Sequence, residues 1–85
     1  MSTIPVRVTV LDTWEEFGFE PSPDTPVAEL KRRALAAARV RRPPEGYQVK
    51  FRGAELPENG STIGELGLVP NSALIVLPRK RIPAR

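Results

Sequence analysis

Cysteine and histidine are both missing from this 85-residue chain. Their absence excludes a disulfide framework, thiol redox chemistry and the usual zinc ligand sets. It leaves only carboxylates, serine and threonine for acid–base or nucleophilic work. Aromatic residues are few: one Trp, one Tyr and three Phe. They do not interleave with the arginines, as a stacking platform for single-stranded nucleic acid requires. No apolar run approaches the ~20 residues that cross a bilayer. The segment Met1–Pro5 lacks the basic stretch and apolar run of a signal peptide. The expectation is a soluble, cytoplasmic protein with no metal and no cofactor.

What is present is mildly basic. The net charge is +3, and ten of the thirteen basic residues are arginine. A chain of this size buries roughly 60–65 % of its unfolded surface. That allows one core and a shallow groove, and leaves no room for a deep small-molecule pocket.

Ile4, Val6, Val8 and Val10 alternate with polar residues and Pro5, the mark of a strand with one buried face. Asp12 and Thr13 suit a turn, and Phe17 and Phe19 resume the alternation, so residues 4–20 read as an antiparallel hairpin. Pro21–Ser22–Pro23 stops it. Thr25 is placed to cap a helix with Pro26 at its first position. Val27, Leu30, Ala34 and Ala37/Ala38 then recur at helical spacing, with Lys31, Arg32 and Arg33 on the other face. Arg39, Arg41 and Arg42 fall at the helix end, and Pro43–Pro44 terminates it. Tyr47, Val49 and Phe51 form a third strand, and Ala54–Leu56 a short edge strand. Thr62–Ile63–Gly64–Glu65 has capping-box spacing. Ala73–Leu77 is a continuous apolar run, suited to a central strand beside the first and parallel to it. Residues 79–85 form a basic tail, so the domain spans 1–78.

No catalytic site emerges. Glu15 and Glu16 are neighbours in a strand and face opposite sides. Glu55 and Glu58 sit around a turn and read as solvated. The glycines are scattered singly, and none opens a helix as a phosphate loop does. Trp14 is either a core residue or a surface anchor. Ile75 and Leu77 must point away from Leu74 and Val76. The arginines of 39–42 and the tail read as a solvated surface, a site for an acidic partner or membrane surface, or a nucleic-acid contact.

The ordered series resembles ubiquitin. Phe19–Thr25, Leu30–Lys31, Pro43–Pro44–Glu45, Val49–Gly53, the set Leu56, Gly60, Thr62, Ile63 and Leu68, and finally Ser72–Leu77 together carry the likeness over about residues 4–79. It implies an α+β fold of ubiquitin-like β-grasp type: a mixed sheet of four to five strands packed on one central helix. The resemblance turns Leu74 and Val76 inward and Ile75 and Leu77 outward. Leu30, Phe51, Ile63, Leu68, Leu74 and Val76 are expected to share one core. Ala54 stands where the family has a chain-linking lysine, and Lys50 where it has an apolar recognition residue. The chain is thus similar to small non-conjugated ubiquitin-like proteins of bacteria, including those that accompany secretion systems.

The expected function is non-catalytic protein binding through Trp14, Lys50, Arg52, Ile75, Leu77 and Arg79. Weak self-association through the same face is a further expectation, since exposed aliphatics attract one another. The alternatives are a covalent modifier or sulfur carrier activated at a processed C-terminus, and a small nucleic-acid-binding protein. Family modifiers end in Gly-Gly, which threads a narrow activating-enzyme channel. This sequence ends in Ala84–Arg85. Pyrophosphate exchange with a cognate activating enzyme is expected to show no adenylation of the chain as given, and an ATP-dependent thioester would overturn that expectation.

Overall fold

A computed structural model describes residues 3–79. Strands β1 (Val6–Val10) and β2 (Glu15–Phe19) form the expected hairpin, followed by helix α1 (Val27–Ala37). A short 3₁₀ turn, Pro44–Gly46, leads into β3 (Tyr47–Phe51), then β4 (Ala54–Glu55) and β5 (Ser72–Pro78). The sheet order is β2-β1-β5-β3-β4. β1 and β5 are parallel, and the other pairings are antiparallel. This is the α+β arrangement that the alternating runs and single helical stripe require.

The valines of β1 and the Leu74 and Val76 side chains of β5 point to one face and meet Val27, Leu30, Ala34 and Leu35 of α1, with Ala38 at its C-cap. Val49, Leu56, Ile63 and Leu68 close the core. Removing each large aliphatic from water contributes about 1.5–3 kcal/mol. Of the expected core, Phe51 differs: it is only half-buried, because β3 ends there and the ring lies at the margin of the helix-covered area.

Several local expectations give way to tertiary contacts. Thr25 does not cap α1. The N-cap is Pro26, without a side-chain hydrogen bond. The Val27 amide instead donates to the carbonyl of Ser61 at 3.2 Å. Thr25 is buried, and its hydroxyl meets that of Ser22 at 3.3 Å. The segment supplying the Ser61 carbonyl is held by the Thr62–Glu65 capping box, which forms as expected: each side chain bonds the other's backbone amide, at 3.1 and 3.2 Å. A side chain at Gly64 would strike Pro23 at 2.9 Å, so only glycine lets this turn sit against the helix start.

The helix also stops earlier than the diproline. Arg39 takes a left-handed conformation, φ 62°. Its amide bonds the Ala36 carbonyl, while the Val40 amide bonds that of Leu35. This is a Schellman ending with arginine where glycine is usual. Arg41 and Arg42 therefore lie in the following loop, and the last turn of α1 carries no basic residue.

Lys31 is the largest departure. It is 3 % exposed, on the core side of the helix rather than the solvent side. Its ammonium donates to the Tyr47 carbonyl at 3.0 Å and pairs with Glu58 at 2.7 Å. Glu58 is accordingly not a solvated turn residue; its side chain is 15 % exposed. Lys31 lies four residues after Val27 and four before Leu35, on one ridge of the helix. Glu58→Ala would strand a buried cation and is expected to cost on the order of 3 kcal/mol in denaturant unfolding, whereas Lys31→Met with Glu58→Met should recover most of that loss. Equal stability of Glu58→Ala and wild type would overturn the assignment.

Candidate functional site

Alternation that turns Val8 and Val10, Leu74 and Val76, and Val49 inward turns their neighbours outward. Register then fixes which outward residues touch. One row crosses the sheet as Glu16, Thr9, Ile75, Lys50 and Glu55. Ile75 is 41 % exposed, directly between Thr9 of β1 and Lys50 of β3. Leu77, half-buried, pairs with the nearly covered Gln48 in the next outward row. Lys50, Ile75 and Leu77 thus come together as an aliphatic pair beside a cation. The outer edge of this face carries Arg7 and Glu16, 3.9 Å apart.

The other anticipated residues are dispersed around that centre. Arg52 follows β3 in a left-handed turn, φ 56°, with its guanidinium 5.3 Å from the centre of the Phe51 ring. Arg79 is committed to contacts at home. Its guanidinium pairs with Glu55 at 2.7 Å and with Glu58 at 3.6 Å, and donates to the Glu45 carbonyl at 3.1 Å. Its amide also bonds the Gly46 carbonyl. Lys80 and the rest of the basic tail lie outside the described residues. Val69 is a further exposed aliphatic, 55 % accessible, that the sequence pattern had not singled out. Thr9, Gln48 and Glu16 were also missed, although the alternation that placed Lys50 outward would have placed them there too.

Trp14 is resolved in favour of the surface: it is 77 % exposed. It closes the β1–β2 turn in the left-handed region, φ 57°, which costs a side-chain-bearing residue about 1–2 kcal/mol. Two contacts hold the turn. The Trp14 amide bonds the Val10 carbonyl at 2.8 Å. The buried Tyr47 hydroxyl donates to the Asp12 carboxylate.

Burial pushes the Tyr47 phenol above its ordinary value of 10.0, and the Asp12 carboxylate adds to the shift. Arg42 opposes it with a weaker effect in the other direction. A raised folded value means that the neutral phenol's contribution is complete below pH ~10 and fades as pH rises through the folded value. Tyr47 is the only tyrosine, so an absorbance titration reads it directly. Its ionisation is expected above that of a free phenol, and Tyr47→Phe should flatten the alkaline loss of stability. A normal titration would remove this account of how the turn is held.

No family model matches the chain, and no curated protein is significantly similar to it in sequence. Solved structures are similar in fold. The ubiquitin of Caldiarchaeum subterraneum superposes with a TM-score of 0.78 at 15 % identity, covering 94 % of this chain and 98 % of its own. A ubiquitin-like domain from Arabidopsis thaliana gives 0.76 at 21 % identity, covering 100 % and 86 %. A designed protein based on ubiquitin gives 0.79 at 20 % identity, covering 99 % and 98 %. One helix packed on a five-stranded mixed sheet in this order is the ubiquitin-like β-grasp fold.

Proposed function

We propose that this chain is a non-catalytic protein-interaction module that binds its partner with the outward face of the sheet. The observation that carries the reading is the cross-strand neighbourhood of Ile75 and Lys50, with Leu77 one outward position further along β5. Desolvating the aliphatic pair would supply affinity, while Lys50 would speed encounter with a partner carboxylate and select for it. Arg52 lies at one end of this face, and Arg79, held by Glu55 and Glu58, at the other. The partner is therefore a protein with an apolar ridge and an adjacent acidic group. The narrower reading, an accessory of a bacterial secretion system in the cytoplasm, rests on the likeness to non-conjugated ubiquitin-like proteins. Neighbouring genes for such a system would support it.

The double substitution Ile75→Ser with Leu77→Ser tests the face. It is expected to leave the circular-dichroism spectrum and cooperative melting in place while abolishing partner capture. Retention of every wild-type partner would move the functional surface elsewhere.

A further inference from the structure

A knob and a hole stand at one end of the molecule, meeting the face just described only at Arg79. The knob is Trp14, exposed at the tip of the β1–β2 turn, with Asp12 and Glu15 beside it. The hole is a groove of about 470 Å³ lined by Arg42, Pro43, Gly46, Tyr47, Pro78 and Arg79. Its volume falls in the range of clefts that enclose a compact organic group. Two prolines give it apolar walls, and Arg42 gives its rim a cation, while the Arg79 guanidinium there is already paired with Glu55 and Glu58. An indole followed by the Glu15 carboxylate suits apolar walls with Arg42 at the rim, whereas Asp12 is held by Tyr47 of its own molecule.

Both features lie at the end of the sheet where β1 and β5 finish and β3 begins. The Leu11 amide bonds the Val76 carbonyl, and Tyr47 lies opposite Pro78. Tyr47 also joins the two features directly: it lines the groove, and its hydroxyl holds Asp12 of the turn. Trp14 does not fill the groove of its own molecule, since it is 77 % exposed.

We infer that two copies of this chain associate through this end, each placing Trp14 in the Arg42–Pro78 groove of the other. Because knob and hole occupy the same end, one two-fold axis satisfies both contacts at once and the assembly closes as a dimer. Trp supplies the buried anchor, and the Glu15–Arg42 pairing across the axis orients it. With one aromatic anchor per side, the association is weak and salt-sensitive. Ile75, Leu77 and Lys50 stay outside this contact, and the dimer shares only Arg79 with the binding surface proposed above.

The purified chain itself is the probe. Sedimentation velocity from micromolar to millimolar chain is expected to show a monomer–dimer equilibrium. Emission of the single tryptophan should shift to the blue with concentration along the same curve. Trp14→Ala, at an exposed position, should weaken association at least tenfold without altering the melt. Glu15→Arg and Arg42→Glu should each weaken it, and their combination should restore it. Ile75→Ser with Leu77→Ser should leave it unchanged. A chain monomeric at millimolar concentration, a Trp14→Ala variant that dimerises like wild type, open-ended polymer, or loss of the dimer in the sheet-face variant alone would each overturn the inference.

Discussion

A lysine ammonium taken out of water costs several kcal/mol unless oxygen atoms replace its hydration. Lys31 of α1 finds them in the Tyr47 carbonyl at the start of β3 and in Glu58 after β4. Neither acceptor is local to the helix, so the charge is tolerated only when three separate segments have reached their final places. Glu58 then faces Arg79, which also grips Glu55 and the carbonyls around Gly46. A chain of opposite charges thus runs from the helix to the short edge strand and to the residue after β5. The net gain of such a pair over two apolar residues is small, but its geometric demand is strict. It sets how the helix lies against β3 and keeps the two-residue β4 at the sheet edge.

With the helix so placed, the sheet acquires two unlike faces. The covered face is built from valine and leucine, whose branching suits the pleat. The open face inherits whatever the alternation leaves. At the centre that is Ile75, between Thr9 and Lys50. The parallel pairing of β1 with β5 makes the last strand central, so its outward residues sit in the middle of the face and not at a margin.

The turns carry backbone strain that the scaffold tolerates. Trp14, Arg39, Arg52 and Asn71 all have positive φ. Arg39 is repaid by the two hydrogen bonds that end α1, and the Asn71 amide is bonded to the Pro5 carbonyl at 2.6 Å. Trp14 differs in holding a large apolar side chain out in solvent on a turn braced by Tyr47 and Asp12. Strain and exposure thus coincide at one residue.

Element order, strand faces and the helical stripe were legible in the sequence because they depend on local periodicity. The pleat sends Val6, Val8 and Val10 to one side whatever lies opposite, and the helix brings Leu30 and Ala34 into line. The Thr62–Glu65 box was equally legible, since both partners lie within one turn. The outward placement of Lys50 followed from Val49 pointing inward. Lys31 was misread because charge argues for solvent, and only the folded chain brings Glu58 and the Tyr47 carbonyl within reach. The same reason explains Thr25, displaced as a cap by the Ser61 carbonyl, and Trp14, whose exposure depended on how the turn is braced. What the sequence by itself determined is the set of faces each element presents. Only the tertiary structure decided which charges those faces bury, because a buried charge is stable or costly according to partners that lie far away along the chain.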